Sequence, residues 1–281
     1  SAGTTALVSR RIGEKDPEAA AKAAGQSILA GLVVSFLLAI PGIFFSYELL
    51  RLMGASHELA SINHGYTQIM FAGNAVIMML FIINAAFRSA GDAALSMRVL
   101  LIANGINIIL DPLLIFGYGI IPPLGIEGAA IATNIGRGMA VVFQFYILFR
   151  GKMRIKLKFA HFIPELSLML TLVKLSVGGI LQNLIATASW IVMVRIISIF
   201  GSVAVAGYTI GIRIIIFSLL PSWGLSNAAS TLVGQNLGAG KPERAQRAAW
   251  ITGFTNMTLL GLISIIFIAF PGFFVRMFIN E

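Results

Sequence analysis

The chain has 281 residues, of which 58% are hydrophobic and only 11% are charged, and this composition excludes a water-soluble domain and indicates a polytopic membrane protein. The net charge of +9 does not indicate a nucleic-acid partner, because nearly all lysines and arginines lie in short segments between apolar runs. The chain contains no cysteine, which excludes disulfides, thiolate metal sites and a cysteine nucleophile.

The predicted elements, in chain order, are all helical. Residues 1–9 predict the end of a helix whose beginning is missing, and residues 10–22 predict a basic loop with a helix start at Asp16-Pro17-Glu18. Seven apolar runs then follow, each long enough to cross about 30 Å of hydrocarbon. They cover residues 23–47, 64–87, 96–117, 127–149, 172–199, 204–231 and 244–273.

The connections between these runs alternate in charge. One side carries almost all of the basic residues, and the other side carries only Arg51 and Arg276. The positive-inside rule predicts that the basic side is cytoplasmic. The expected location is the inner membrane of a prokaryote. The longest connection, residues 150–171, is basic with interleaved apolar residues. We expect it to lie along the inner membrane surface as a linker between two halves.

An internal repeat supports this division. T-A-L-V-S-R-R-I-G-E-K-D-P-E-A-A-A-K-A-A, residues 5–24, aligns without a gap with S-T-L-V-G-Q-N-L-G-A-G-K-P-E-R-A-Q-R-A-A, residues 230–249. Six spans separate the copies, so both cross in the same direction, as in transporters built from parallel repeats. The predicted units are an amino-terminal lobe (1–149), a cytoplasmic linker (150–171) and a partial carboxy-terminal lobe (172–281).

The segment N-G-I-N-I-I-L-D-P, residues 104–112, places a carboxylate inside an apolar span. In a helix, Asn104, Asn107 and Asp111 share one face. Pro112 has no N–H to donate to the carbonyl oxygen of Ile108, which leaves that oxygen free to face a cavity. A carboxylate at this depth is a functional-site hypothesis by default. The alternative is a structural acid that is capped by a neighbouring helix.

Thr133 is expected to meet this segment. Asp111 lies six residues from Gly117 and Thr133 six residues from Glu127, so both lie about 9 Å inside the same ends of consecutive antiparallel helices. Their oxygen atoms suit a hard cation, and the same carboxylate could instead carry a proton. Arg137, one turn from Thr133, either pairs with Asp111 or bonds to carbonyl groups of the other lobe.

Six segments carry a resemblance to a known family: both repeat copies, N-A-A-F-R-S-A-G-D, N-I-I-L-D-P-L-L-I-F-G, L-G-I-E-G-A-A-I-A-T and A-V-A-G-Y-T-I-G-I-R-I. Through these segments the chain resembles the multidrug and toxic compound extrusion (MATE) family. These motifs cover nearly the whole chain in the family's order. The resemblance implies an all-α, two-lobe bundle of twelve helices with a parallel pseudo-two-fold repeat. Against that plan the chain is incomplete, because helix 1, most of helix 2 and helices 10 to 12 are missing.

The resemblance also implies a function. It predicts a non-enzymatic antiporter, without cofactors, that expels cationic or amphipathic drugs across the lipid bilayer in exchange for Na⁺ or H⁺ and is monomeric when complete. Residues 172–199 contain no acid, which favours the DinF-like branch over the NorM-like branch. The implied cation or proton site is Asn107, Asp111 and Thr133. The substrate-pocket residues are predicted to be Asn84, Asn104, Arg137 and Gln182.

Three alternatives remain at this point. A lipid-linked saccharide flippase of the same superfamily would have a more cationic cavity, to which Arg137 and Arg213 would contribute. A non-transporting membrane scaffold would need Asp111 only for stability. Gln182 either lines the cavity of the second lobe or packs between helices. These 281 residues alone are expected not to transport.

Overall fold

The computed structural model describes residues 1–119, 121–150 and 154–276 of the chain. Its α-helices, in chain order, are α1 (Ala2–Gly13), α2 (Pro17–Phe44), α3 (Ser46–Leu52), α4 (His57–Ala72), α5 (Asn74–Ser89), α6 (Ala93–Phe116), α7 (Gly125–Arg150), α8 (Leu166–Ser198), α9 (Ser202–Gly238), α10 (Pro242–Ala269) and α11 (Pro271–Arg276). A short 3-10 helix, Phe159–Phe162, lies between α7 and α8.

Seven membrane spans are present in the described part of the chain, as predicted. Six single helices, α2 and α6 to α10, are long and apolar enough to cross a bilayer. The seventh span consists of α4 and α5 together. The run 64–87 was predicted as one helix, but the chain bends there by 44° at Gly73, which lies between the two helices. The chain is therefore an all-helical, multi-span membrane protein with one broken span.

The sequence repeat is also a repeat of backbone structure. The turn between α1 and α2 passes through Lys15 at φ 61°, and the turn between α9 and α10 passes through the aligned Gly240 at φ 68°. The N–H before each of these residues donates to a carbonyl oxygen four positions earlier, at 3.0 Å in both turns. The predicted loop 10–22 is thus shorter than expected, because only residues 14–16 lie outside helices.

The two repeat copies pack on each other where α1 crosses α9. Two glycines approach backbone carbonyl groups so closely that an added Cβ would collide with them: Gly13 with that of Gln235, and Gly238 with that of Arg10. A shift of 225 positions, the spacing of the repeat, converts the first contact into the second. The same shift converts Ser9 into Gly234, and these two also touch. A pseudo-two-fold axis therefore passes between Ser9 and Gly234.

The apolar core lies in the first half of the chain. Its largest fully buried side chains belong to α2, α5, α7 and the segment after α7, and include Phe87, Ile83, Ile28 and Leu148. Among the described side chains of α8, α9 and α10, only Leu172, Thr231 and Ala245 are buried. Within the described residues, the amino-terminal half is packed as a bundle, whereas the last three spans expose most of their surface.

The connection after α7 is folded against the bundle. Ile155 and Leu157 are only 1% and 2% exposed, and the Leu157 N–H donates to the carbonyl oxygen of Leu148 at 2.9 Å. Ile155 and Leu157 thus face the protein core, which accounts for the alternation of apolar and basic residues as well as a lipid surface would. That the linker lies along the inner membrane surface stays a prediction. Residues 151–153 lie outside the described part of the chain.

Gln26 of α2 holds the connection between α7 and α8 in place through hydrogen bonds. The side chain is fully buried, and its amide nitrogen donates to the carbonyl oxygens of His161 at 2.9 Å and Ile163 at 2.7 Å. Its amide oxygen accepts from the N–H of Glu165 at 2.9 Å. Lys22 forms an ion pair with the Glu165 carboxylate beside these bonds. The start of α8 is therefore tied to α2 by one buried glutamine and one surface ion pair.

Replacing Gln26 by leucine is expected to release this connection, because leucine leaves three backbone groups without their partner. At about 1 kcal/mol for each lost hydrogen bond, trypsin should cleave after Lys156 and Lys158 at least about tenfold faster, as followed by mass spectrometry of the fragments. Lys22→Gln is the matched control, because a surface ion pair contributes only about 0–1 kcal/mol. Equal cleavage of the two variants would contradict the role of Gln26.

The ion pair at Lys22 should stay constant over neutral pH. The hydrogen bond from Lys22 lowers the pKa of Glu165 from its ordinary value. A carboxyl group with a lowered folded-state pKa stabilises the fold above its unfolded pKa, and this contribution is lost only as the pH falls through the lowered value. The cleavage assay at neutral pH therefore measures the effect of Gln26 with the ion pair intact.

Candidate functional site

The structure brings the three predicted ion-site residues together between α6 and α7. The side-chain amide of Asn107 donates to Oδ1 of Asp111 at 3.0 Å and to Oγ1 of Thr133 at 3.4 Å. All three side chains are half-buried. The i, i+4 spacing places Asn107 beside Asp111 on one helix, and the neighbouring helix supplies Thr133.

Small residues on α7 allow this close approach. Gly128, Ala132, Gly136 and Ala140 are spaced four apart, so they form one face of the helix, and all four are buried. A Cβ added to Gly136 would lie 2.9 Å from the carbonyl oxygen of Ala103 and 3.4 Å from Cβ of Asn107. Close backbone packing through small residues is typical of membrane helices. It holds Thr133 within reach of the Asn107 amide.

The orientation of the Asn107 amide determines what the cluster can bind. With its NH₂ group turned towards Asp111 and Thr133, the amide satisfies both oxygens without an ion. Rotation of the amide by half a turn would place its oxygen where the nitrogen is now. Carboxylate, amide and hydroxyl oxygens would then converge, and such a donor set suits a hard cation. The residues present therefore fit Na⁺ as a transported ion, and they also fit a proton on Asp111.

Asn134, which the sequence analysis did not select, connects this site to the broken span. Its amide nitrogen donates to the carbonyl oxygen of Ile69 at 2.9 Å, and a Cβ added to Gly73 would collide with the same amide. The bend between α4 and α5 is thus occupied by the residue next to Thr133. A polar side chain within an apolar run was the available signal, but its partner on another helix could not be inferred.

Arg137 has neither of its two expected partners. It is half-buried on α7, and within the described residues no salt bridge joins it to Asp111 and no side-chain hydrogen bond joins it to a carbonyl group. Its charge therefore stays available one helical turn from Thr133. A cation beside the ion site weakens the binding of another cation and attracts an anion.

The other predicted pocket residues lie in separate places. Asn84 is 1% exposed on α5, and its amide atoms have no hydrogen-bond partner among the described residues, so it does not join the Asp111 cluster. Asn104 lines a groove between α6 and α9. Gln182 lines a third region, a cavity between α1, α8 and α9. These three residues thus lie apart from one another, and their part in substrate binding stays a prediction.

The cavity between α1, α8 and α9 has a volume of about 770 Å³. Its polar lining is contributed mainly by uncharged side chains, which include Gln182, Asn183, Ser226 and Ser230. Arg10 is the one charged side chain among the described lining residues, and no carboxylate is among them. The cavity is large enough for a drug-sized ligand, and its single charged lining side chain, Arg10, forms an ion pair with Glu14 at 3.2 Å.

Comparisons with known proteins agree with this architecture. The sequence profile of the MatE family matches residues 1–113 and 179–281. The chain is similar to the probable multidrug resistance protein YoeA of Bacillus subtilis, with 24% identity over 99% of this chain and 61% of that protein. It is also similar to an FAD transporter of Shewanella oneidensis, with 31% identity over 88% of this chain and 55% of that protein.

Solved structures show the same fold. An outward-facing multidrug resistance MATE transporter of the MOP superfamily superposes with a TM-score of 0.88 at 23% identity, over 99% of this chain and 61% of that chain. A MOP superfamily transporter from Pyrococcus furiosus, described as having a binding pocket of reverse polarity, gives a TM-score of 0.85 at 23% identity, over 96% of this chain and 60% of that chain. The chain thus spans about 60% of the length of the proteins it matches.

Proposed function

The chain belongs to the MatE family, whose members are transporters and not enzymes, and from this premise we propose that the complete protein is a cation-coupled antiporter that exports amphipathic compounds. Two relatives support the proposal, the probable multidrug resistance protein YoeA and the multidrug export protein MepA of Staphylococcus aureus. MepA is 26% identical over 85% of this chain and 52% of that protein. The bacterial relatives and the basic loops support an inner-membrane location with those loops in the cytoplasm.

The observation that carries this proposal is the cluster at Asp111. Asp111 is the only acidic residue of the membrane-spanning helices that does not lie in a first turn. Among the described residues its side chain accepts a hydrogen bond from the uncharged amide of Asn107, which also donates to Thr133, so the negative charge remains available to an ion or a proton. An intramembrane carboxylate without a fixed counter-charge suits reversible binding. The absence of an acid in α8 favours the DinF-like branch, with one coupling site in the amino-terminal lobe.

In this mechanism the orientation of the Asn107 amide depends on whether an ion occupies the site. When the site is empty or Asp111 is protonated, the NH₂ group faces the cluster; when an alkali cation binds, the amide oxygen faces it. The half-turn exchanges hydrogen-bond donor for acceptor beside the small-residue face of α7, along which α6 and α7 are in contact. Ion and drug each shift the equilibrium between the two lobe arrangements only by their differential affinity for them.

A second candidate function, export or flipping of an anionic amphipath, is favoured by the charge of the cavities. Arg137 has no ion pair among the described residues, whereas Arg10, which lines the cavity of α1, α8 and α9, is paired with Glu14. Arg213 is also exposed on α9. The relative with 31% identity is an FAD transporter, and FAD carries two phosphate groups. A lipid-linked saccharide would present the same anionic chemistry.

Uptake by everted vesicles that contain the complete protein distinguishes these functions. A fluorescent cationic dye and an anionic dye of similar size are each tested under a Na⁺ gradient and under a proton gradient. We expect uptake of the cationic dye under one gradient, and that gradient identifies the coupling ion. Uptake of the anionic dye alone would assign the second function. No uptake of either dye, with folded protein in the vesicles, would contradict both.

A further inference from the structure

His161 is a buried histidine on the 3-10 helix between α7 and α8, and the proposed transport function does not use it. The residue is 4% exposed. On one side of this short helix, Phe159 and Phe162 stack on Phe149 of α7, with ring centroids 5.3 Å and 6.2 Å away. On the other side, a Cβ added to Gly25 of α2 would lie 2.7 Å from the carbonyl oxygen of His161. The imidazole therefore lies where the connection is joined to the bundle.

Both ring nitrogens of His161 have a hydrogen-bond partner. Nδ1 accepts from the backbone N–H of Lys158 at 3.2 Å, and Nε2 lies 2.9 Å from Oε1 of Glu18 on α2. A ring nitrogen that carries a proton cannot accept from another N–H. The partners therefore assign the neutral ring, with its proton on Nε2 and donated to the Glu18 carboxylate.

The charges around the ring do not favour its protonation. Glu18 is the carboxylate in contact with the imidazole, and Nζ of Lys158 already donates to both of its oxygens, at 2.9 Å and 3.0 Å. The next ionised groups on α2 and at the start of α8, Lys22 and Glu165, pair with each other. Arg150, at the end of α7, lies over an aromatic ring of its own helix. Among the described residues, a protonated ring would thus be a second cation on one carboxylate.

Protonation would also break the hydrogen bond that holds the backbone of the connection. A proton on Nδ1 would point at the N–H of Lys158, which is a donor as well, so the Lys158 N–H would lose its acceptor. Burial of the new positive charge adds to the cost. A histidine in solution gains a proton below about pH 6.5, and the folded connection has no place for that proton. Because the released connection binds it, acid favours release.

From this geometry we propose that His161 makes the connection between α7 and α8 a pH-sensitive element, which is bound to α2 at neutral pH and released when acid protonates the ring. Release would also loosen the start of α8. The carbonyl oxygen of His161 accepts from Gln26, and the same glutamine holds the N–H of Glu165. The inference goes beyond the proposed transport function and does not depend on it, because it concerns how the two halves are joined and not what is transported.

Hydrogen–deuterium exchange of the complete protein in detergent tests this proposal. Mass spectrometry follows peptides that cover residues 155–165, on either side of the ordinary titration range of histidine, at about pH 7.5 and about pH 5.5. Labelling times are scaled for the pH dependence of chemical exchange. We expect the protection of these amides to fall by about tenfold or more in acid, since a buried donor loses its acceptor. Unchanged or increased protection would overturn the proposal, because the protonated ring would then be held equally well by Glu18.

Two variants make the test specific to this ring. His161→Phe keeps an aromatic ring that cannot take up a proton, so its connection should exchange with equal protection at both pH values. His57→Phe is the matched control, because His57 is exposed at the start of α4, and this variant should keep the full loss of protection in acid. If thermal unfolding shows that His161→Phe does not fold, His161→Gln serves the same purpose. An acid effect that persists in the folded His161 variant, or that disappears in His57→Phe, would exclude His161 as the titrating group.

Discussion

Vesicles that contain the Asp111→Asn variant are expected to lose gradient-driven uptake down to the level of vesicles without the protein. Asparagine has nearly the same shape as aspartate and can still accept from the Asn107 amide, which lies 3.0 Å away, so the helix packing should persist. What disappears is the negative charge that we propose binds the ion or the proton. Uptake is measured as dye fluorescence under the gradient that drives the unaltered protein, and thermal unfolding of the purified variant verifies its fold.

Two controls make this experiment specific. Asp92→Asn removes a carboxylate from the start of the same helix, and because asparagine is an equally good helix cap it should still accept from the Leu95 N–H, a 3.0 Å contact. Its transport should be unchanged. Thr133→Val removes one oxygen of the cluster without a change of charge, so we expect an apparent ion affinity about tenfold weaker. Full uptake by folded Asp111→Asn would exclude Asp111 as the coupling site.

Much of the candidate site could be predicted from the sequence, because its geometry is local. The spacing of Asn107 and Asp111 fixes their contact on one helix, and equal depth in consecutive antiparallel helices brings Thr133 near them. The partners of Arg137 and Asn84 could not be predicted in the same way. A polar residue in an apolar helix indicates that some partner is needed, but the identity of that partner depends on how helices rotate against each other.

The same distinction between local and distant determinants applies to the fold. Hydropathy and length predicted the spans, and the repeat predicted that α1 and α9 are equivalent. The break at Gly73 was missed because its cause, the Asn134 amide, lies on α7, far away in sequence. The packing of the linker on the bundle was not predicted, for a different reason. Ile155 and Leu157 alternate with basic residues, and this pattern is the same for a segment on a membrane surface and for one that covers a protein core.

The crossing of α1 and α9 gives the second large effect that we expect. Gly13→Leu and Gly238→Leu each force a side chain against a backbone carbonyl group of the other helix, which cannot move aside as a flexible side chain can. Overpacking of this kind costs about 1–3 kcal/mol, and leucine should give values near 3 kcal/mol. Thermal or denaturant unfolding in detergent measures the loss. Gly253→Leu on α10 is the matched control, because an added Cβ there has no atom within 4 Å among the described residues.

The pseudo-two-fold axis makes this prediction more specific than a clash alone. Because the contacts of Gly13 and Gly238 are exchanged by the repeat, the two variants should lose similar free energies of unfolding. The double variant should lose clearly less than the sum, since the first leucine already separates the helices at the site of the second. Losses that add fully, or a Gly13→Leu cost no larger than that of Gly253→Leu, would contradict a shared symmetric crossing. The two repeat copies would then have to be held together elsewhere, and Ser9 and Gly234 would no longer mark the axis between them.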